Sequence, residues 1–283
     1  MNRKLDLALC RSLLFVPAHV PRFVDKAMHC GADAVVLDLE DSVPAAQKAQ
    51  ARTTLAASVK RLDQAGVPAL VRVNRDPAHA RADVDAALAA GAAALVLPKI
   101  DIGAQIDELA SASAGAAPLV VQVESALALA HLDEIATTQG VVGMGLGADD
   151  FCTSIGATPS QDSLLLPTQM VLHAARRAGI APLGFAGSIA EYRDLAAFRL
   201  LVRQASGLGC RGAFCIHPDQ IPVLREEFAP SARELDEARA VLAAYDAGVA
   251  QGRGAVALHG RMIDAPVAAR ARALLGLAVE FRA

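Results

Sequence analysis

The chain has 283 residues, of which 54% are hydrophobic and 4% aromatic, and its formal net charge is −3. This composition is typical of a soluble globular protein that is long enough for one large domain or two ordinary ones. It provides no basic face for nucleic acid, few aromatic side chains for base stacking, and no apolar run long enough to cross a bilayer.

The first twenty residues begin with basic side chains, but Asp6, Arg11 and Pro17 interrupt the apolar stretch that follows. We therefore expect a short leader and a first strand rather than a secretion signal. The five cysteines are odd in number and never form a C-x-x-C pair. This pattern favours reduced thiols in a cytoplasmic protein over disulfides or a structural zinc site.

Eight short apolar segments alternate with stretches of helical spacing along residues 1–228. The predicted strands cover residues 12–18, 34–40, 69–74, 94–99, 119–125, 141–148, 181–187 and 212–218. The predicted helices include residues 44–66, 79–91, 126–138, 165–178 and 189–207. Continuous apolar runs are typical of parallel strands that are covered on both faces. The alternation predicts an α/β protein with a (β/α)8 TIM barrel; an open doubly wound sheet is the alternative, but no glycine-rich phosphate loop follows the first strand.

Residues 229–283 are predicted to form a C-terminal helical segment beyond the barrel domain. The stretch "APSARELDEARAVLAAYDAGVAQG" has the pattern of a capped helix, and "DAPVAARARALLGLAVEF" predicts a second helix. Between them we expect a glycine-rich turn.

Charged side chains recur where the predicted strands end. They are Glu40 and Asp41, Arg72, Lys99, Glu124, Asp149 and Asp150, and His217. Because the carboxyl ends of barrel strands form a single rim, these residues predict a site there. Glu124 with one of the two aspartates, without histidine or cysteine beside them, favours Mg²⁺. The planar guanidinium of Arg72 suits a substrate carboxylate or a developing enolate oxygen.

Some of these side chains also fit simpler structural roles. Either aspartate after the sixth strand is suited to capping the next helix. Lys99 is as compatible with a solvated loop as with a ligand contact. Asp38 is expected to fix the rim through hydrogen bonds rather than to touch substrate. Glu124 and Arg72 are the strongest candidates, because each closes an otherwise apolar strand.

Phrases spread over nearly the whole chain are similar to those of one enzyme family. They are "RSLLFVPAHVPRFVDKA" (11–27), "GADAVVLDLEDSVPAAQKAQAR" (31–52), "VRVN" (71–74), "VLPK" (96–99), "VESALALAHLDEIA" (123–136), "GLGADDFCTSIG" (145–156), "IHPDQIPVLREEFAPS" (216–231) and "GRMIDAP" (260–266). Together they resemble the citrate lyase β-subunit-like proteins of the HpcH/HpaI aldolase–citrate lyase family. The resemblance implies a Mg²⁺-dependent carbon–carbon lyase, built as a homotrimer or hexamer of barrels. Its expected substrate is a 3-hydroxyacyl-CoA thioester (citramalyl-, malyl- or citryl-CoA), which is cleaved to acetyl-CoA and a 2-oxo acid.

The resemblance further implies which acidic residues serve the metal. Glu124 and Asp150 would be its ligands. Glu40 and Asp41 would belong to the catalytic set by ordering metal-bound water.

The remaining implied roles concern the substrate. Arg72 would bind the oxo acid and stabilise the enolate, and Phe15 and Lys26 would contact coenzyme A. Asp264 would reach into a neighbouring subunit's site as the catalytic acid/base that handles the acetyl-CoA methyl proton.

The chain departs from the family pattern at two basic positions. Val20 stands where the family often has arginine, and Ala213 where it has lysine, so two positive charges are absent. Two other activities therefore stay open: a β subunit that acts on a carrier-protein thioester in a citrate lyase complex, and a class II aldolase that releases pyruvate. The aldolase would leave the "GRMIDAP" segment without a purpose.

Overall fold

The predicted barrel is present in the computed structural model, which describes residues 5–113 and 117–280. Its parallel strands are β1 (Ser12–Pro17), β2 (Ala34–Asp38), β3 (Ala69–Arg72), β4 (Ala94–Leu97), β5 (Leu119–Val123), β6 (Val141–Leu146), β7 (Ala181–Leu183) and β8 (Ala213–Cys215). Neighbours pair in the order β7-β6-β5-β4-β3-β2-β1-β8. A single parallel bridge between Leu183 and Gly212 brings the two edges together. The fold is therefore a (β/α)8 TIM barrel, as predicted.

Ten helices within the described residues accompany the strands. They are α1 (Pro21–Ala27), α2 (Lys48–Gln64), α3 (Ala80–Ala90), α4 (Gly103–Ser113), α5 (Ala126–Ala130), α6 (Leu132–Thr137), α7 (Ala148–Ile155), α8 (Gln161–Ala178), α9 (Leu195–Leu208) and α10 (Gln220–Glu227). The helix predicted over 126–138 is two helices, which meet at His131. The first four residues of the predicted leader lie outside the described part of the chain.

The barrel strands bury apolar side chains on both faces. On β2, Val35 and Leu37 belong to the core beneath the helices, whereas Ala34 and Val36 belong to the cluster that fills the barrel. This two-sided burial explains why the strands are continuous apolar runs rather than alternating ones.

Strand register determines which side chains meet at the rim. Asp38, the last residue of β2, is in register with Arg72, the last residue of β3. In a parallel sheet such neighbours project to the same side, so the carboxylate and the guanidinium meet at the carboxyl end of the barrel.

A second compact unit begins at Ala229, after the first unit ends at Phe228. It contains α11 (Ala232–Val249), the antiparallel strands β9 (Val256–Leu258) and β10 (Arg261–Ile263), and α12 (Ala265–Glu280). The two predicted helices are thus present, but a hairpin connects them where a glycine-rich turn was expected. A capping box between Ser231 and Glu234 starts α11.

No disulfide joins any of the five cysteines, all of which lie within the described residues. Burial raises the pKa of Cys210 to about 11 and raises the pKa of Cys215 as well. No helix among the described residues is long and apolar enough to span a membrane.

Candidate active site

A cavity of about 660 Å³ lies at the carboxyl end of the barrel strands. Most of the predicted site residues line it: Phe15, Lys26, Asp41, Arg72, Glu124 and Asp150. Glu40 does not line this cavity but contacts Arg72, which does. The predicted cluster at the strand ends therefore forms one concave site within the barrel unit.

Arg72 is held by three neighbours. Its Nε and Nη2 donate to Asp38 at 2.7 and 2.8 Å, and its Nη1 lies 3.2 Å from Oε2 of Glu40. The guanidinium carbon is 4.6 Å from the centre of the Phe15 ring, a cation–π contact. Asp38 is only 1% exposed, and although burial acts to raise its pKa, the hydrogen bonds from Arg72 hold that pKa below its usual range. Asp38 thus fixes the guanidinium edge. Nη1 is directed toward Glu40 and also lies 3.9 Å from Asp41, so only the second N–H of each terminal nitrogen is left to meet a ligand.

Lys99 supplies the second positive charge at the carboxylates that follow β2. Its Nζ contacts Glu40 and lies 3.1 Å from Asp41. Burial raises the pKa of Glu40, whereas hydrogen bonds from Glu40 and Lys99 outweigh burial at Asp41 and lower its pKa. Lys99 is 42% exposed, as a loop lysine would be, but its charge is paired with the two carboxylates beside Arg72.

The backbone of Lys99 also serves the site. Lys99 has a φ of 54°, and His259 is the only other non-glycine residue in the described chain with a positive φ. In this conformation the Lys99 amide donates to Oε2 of Glu124 at 2.8 Å. Backbone strain of this kind occurs where surrounding contacts enforce it, often at functional sites.

Glu124 is buried and forms no ion pair with any other residue that the structure describes. It is 5% exposed, and burial together with the negative charge of Asp150 raises its pKa to about 8. The side chain fits because its neighbour Gly147 has none: a Cβ at Gly147 would lie 2.4 Å from Cγ of Glu124. The half-buried Asp150 thus disfavours the charged form of the buried Glu124, and a cation bound beside both carboxylates would relieve that repulsion.

The aspartates after β6 lie in the first turn of α7, and neither is its cap. The N-cap position is Gly147, which makes no side-chain capping bond. Asp149 instead accepts a hydrogen bond from Ser188 at 2.8 Å. Asp150 is the aspartate that raises the pKa of Glu124. The capping alternative therefore does not describe these residues.

The donor set fits magnesium. Among the described residues there is no group of three or more His, Cys, Asp or Glu that could hold a metal ion. Mg²⁺ commonly uses one or two protein carboxylates and completes its shell with water and substrate oxygens. One buried and one half-buried carboxylate, which offer oxygen donors without nitrogen or sulfur, match that preference better than they match zinc or iron.

Phe15 and Lys26, the predicted coenzyme A contacts, both line the cavity but differ in their surroundings. Phe15 stacks on Phe214 with ring centres 5.0 Å apart, in addition to its contact with Arg72. Lys26 is exposed in the last turn of α1. Phe15 thus supports the guanidinium, while Lys26 is open to a ligand.

A buried polar network behind β2 was not predicted from the sequence. Nζ of Lys48 donates to the carbonyl oxygens of Leu39 and Glu40 at 3.1 Å each, and it also contacts Asn74. Asn74 in turn bonds Asp83, which is fully buried. The network fixes the backbone that carries Glu40. The only sequence signal for it is the polar residue that ends "VRVN".

Asp264 belongs to the second compact unit, where it starts α12. Its Oδ1 accepts from the amide of Val267 at 3.3 Å. This is the geometry of a helix N-cap.

Comparison with known proteins shows extended similarity. The sequence profile of the HpcH/HpaI aldolase/citrate lyase family matches residues 11–218. The chain is 31% identical to citrate lyase subunit beta of Leuconostoc mesenteroides subsp. cremoris, over 95% of this chain and 93% of that protein. It is 34% identical to L-malyl-CoA/beta-methylmalyl-CoA lyase of Cereibacter sphaeroides, over 90% of each. Its structure resembles that of CitE from Mycobacterium tuberculosis in complex with magnesium, acetoacetate and coenzyme A, with a TM-score of 0.81, 32% identity, and coverage of 95% of this chain and 97% of that chain.

Proposed function

Because the chain belongs to the HpcH/HpaI aldolase/citrate lyase family, we propose that it is a Mg²⁺-dependent carbon–carbon lyase acting on a 3-hydroxyacyl-CoA thioester. The products would be acetyl-CoA and a 2-oxo acid, from citramalyl-, malyl- or citryl-CoA. The observation that carries the proposal is the pairing of the buried Glu124 with the half-buried Asp150, whose negative charge raises the pKa of Glu124, in the cavity that Arg72 also lines.

The residue types suit this reaction. Cleavage removes a hydroxyl proton, breaks the bond to the acetyl methylene carbon and leaves a thioester enolate. When bound, Mg²⁺ supplies a Lewis acid that acidifies the hydroxyl group. Glu124 and Asp150 would hold the ion, and the N–H groups of Arg72 not used by Asp38 and Glu40 would bind the oxo acid and offset negative charge. Glu40 and Asp41, kept in place by Lys99, would order a water molecule that accepts the hydroxyl proton.

The remaining steps are assigned to residues outside this cluster. Asp264 of a neighbouring subunit would protonate the enolate carbon, in a homotrimer or hexamer. Lys26 would contact coenzyme A beside Phe15. The absence of disulfides is in keeping with a cytoplasmic location.

A carrier-protein substrate is the second candidate. It is favoured by the similarity to a citrate lyase subunit beta along 95% of this chain. In that case the thioester would be presented by a carrier protein instead of coenzyme A.

The test is to offer the purified protein, with Mg²⁺, a panel of citramalyl-, malyl- and citryl-CoA and to follow release of the oxo acid. We expect release from one ester, and none from the same ester with Glu124→Gln or after chelation by EDTA. If no ester of the panel releases an oxo acid, in protein that still binds Mg²⁺, the result would contradict a free-standing CoA lyase and favour the carrier-dependent subunit.

A further inference from the structure

One side chain in the wall of the cavity has a polar atom without a partner. Gln122 lines the same cavity as Arg72 and Glu124 and is only 6% exposed. Its Oε1 has no hydrogen-bond partner within the described part of the chain. Buried polar atoms are nearly always paired, since an unpaired one has lost its water without compensation. Of the buried side-chain atoms in the described chain that have no such partner, the Oε1 of Gln122 is the one in the lining of this cavity, where a bound ligand can supply the partner.

The position of Gln122 on β5 places it inside the barrel. Val121 and Val123 belong to the core beneath the helices, whereas Val120 belongs to the cluster that fills the barrel. Since side chains alternate along a strand, Gln122 projects inward with Val120. It precedes Glu124 by two residues, about 6–7 Å along the strand. Gln122 is thus one layer deeper in the barrel than the carboxylate of Glu124.

The neighbouring strand offers this amide no side chain. The register partner of Gln122 on β6 is Gly145, and the next residue in that register is Leu183 on β7. Leu183 belongs to the apolar cluster of the barrel interior. On the side of β6 and β7, the glutamine is therefore a polar group that faces the cavity beside apolar neighbours.

The geometry of the substrate leaves one group to reach the floor of the cavity. The carbon at which cleavage occurs carries four groups: a carboxylate, a hydroxyl, the acetyl-CoA arm and one further substituent. The first two belong with the cation and Arg72. The acetyl-CoA arm must extend out through the opening of the cavity, because coenzyme A is far too large for the barrel interior. The fourth substituent, which becomes the side chain of the 2-oxo acid, is directed toward the floor.

We propose that Gln122 is a specificity-determining residue whose Oε1 accepts a hydrogen bond from the side chain of the 2-oxo acid. The inference rests on the proposed function and extends it to the substrate class. An acceptor requires a donor, and the oxo acids from citramalyl-, malyl- and citryl-CoA carry no hydroxyl group on a third carbon. The inference therefore adds a further substrate class, whose oxo acid has a hydroxyl group there and binds more tightly than the analogue with a bare methyl group. A site built to bond a hydroxyl discriminates against the analogue that lacks it.

The experiment compares pyruvate with hydroxypyruvate, which differ by that hydroxyl, by calorimetric titration into Mg²⁺-loaded protein. We expect wild-type protein to bind hydroxypyruvate at least about tenfold more tightly than pyruvate, as one hydrogen bond allows. In Gln122→Met, which has similar volume and no amide, the preference should fall to within about twofold, with pyruvate binding retained. The thermal midpoint of each protein is recorded alongside.

The possible outcomes distinguish the role of Gln122 from the proposed lyase function. Binding of both acids without preference in the wild type, or a preference that survives in Gln122→Met, overturns the role of Gln122 and leaves the lyase proposal intact. The wild-type comparison decides the question even if the variant does not fold. Failure of the wild type to bind either acid with Mg²⁺ present contradicts the lyase itself, and the role of Gln122 falls with it.

Discussion

Protein groups contact Arg72 along one edge and on one face of its guanidinium, and these contacts fix the position of its positive charge in the site. Asp38 occupies the edge formed by Nε and Nη2, and Phe15 contacts the face. A guanidinium held in this way needs little reorganisation when negative charge develops near it, which is the form of electrostatic stabilisation that contributes most to catalysis.

The Asp38–Arg72 pair predicts a specific acid dependence of stability. The pKa of Asp38 lies below its usual range, so the paired carboxylate stabilises the fold fully above the unfolded pKa of about 4. That contribution is lost as pH falls through the lower folded pKa. Asp38→Asn should therefore be less stable than wild type by about 2 kcal/mol or more at pH 7, because it leaves a buried guanidinium without its main partner.

Urea unfolding of both proteins at pH 7, 5 and 3 checks this expectation. The difference in the free energy of unfolding should be equal at pH 7 and 5 and smaller at pH 3. A difference that stays constant to pH 3 would contradict an ionised Asp38 as the stabilising group.

The two adjacent aspartates of α7 provide a matched test of the cation site. Asp150→Asn should weaken Mg²⁺ binding by more than about tenfold, because it removes one of two protein carboxylates. Asp149→Asn should leave Mg²⁺ affinity within about twofold, since Asp149 is bonded to Ser188. Calorimetric titration with MgCl₂ measures both, and the reverse result would transfer the ligand role to Asp149.

The charged residues of the site could be found from the sequence because each ends an apolar strand. The contacts of Lys99 could not, because they join residues about 60 positions apart and depend on a backbone conformation that lysine seldom adopts. Gln122 was not singled out either, since one glutamine within "LVVQVES" does not interrupt a strand pattern. Side-chain partners of this kind depend on register, which follows from the closed sheet and not from local sequence.

At the scale of elements, β8 joins the barrel only because Gly212 precedes it. A Cβ there would lie 1.9 Å from the carbonyl oxygen of Cys10. Gly212→Ala should therefore lower the free energy of unfolding by more than about 3 kcal/mol, since backbone must move to make room.

Gly207 is the matched control for this substitution. It lies within α9, and a Cβ there meets nothing within 4 Å. Gly207→Ala should stabilise the protein by about 0.5–1 kcal/mol through helix propensity. Chemical denaturation of the pair checks both values, and equal effects in the two variants would refute a steric cause.

Element boundaries were predicted less well than element order. All eight predicted strands extend past the observed ones at the carboxyl end, because they include the residues that follow each apolar run, and these residues already form the loops of the site. The β9–β10 hairpin was missed for a different reason. Its strands have three residues each, and its turn places His259 and Gly260 at positive φ, where asparagine–glycine would be the usual signal.

At the scale of the whole molecule, the barrel followed from the repeated alternation of strand and helix, because that pattern has few compact solutions. The number of subunits and their arrangement do not follow from this pattern, because contacts between subunits depend on residues of more than one chain. The proposed sharing of sites between subunits therefore requires an experiment on mixed oligomers.

Complementation provides that experiment. Glu124→Gln and Asp264→Asn should each be inactive alone, and the asparagine should still cap α12, so the second variant should fold. If Asp264 serves a neighbour's site, random mixing of subunits at equal amounts should restore about a quarter of wild-type activity. The reason is that one interface in four then pairs a subunit with an intact Glu124 and a neighbour with an intact Asp264. Absence of recovery after demonstrated subunit exchange would place Asp264 in its own subunit's site or outside the reaction.

Gly147 has a consequence for how this protein can change over generations. Its φ of −85° is open to every amino acid, so only the space taken by Glu124 excludes a side chain. Each codon change that replaces this glycine displaces the glutamate, and selection removes it while the glutamate is needed. Once Glu124 is lost, position 147 is released and can accumulate any residue, after which restoring the glutamate alone no longer restores the site. Loss of the cation site by this route is therefore easy in evolution, and its recovery is hard, because both Glu124 and Gly147 would have to be restored.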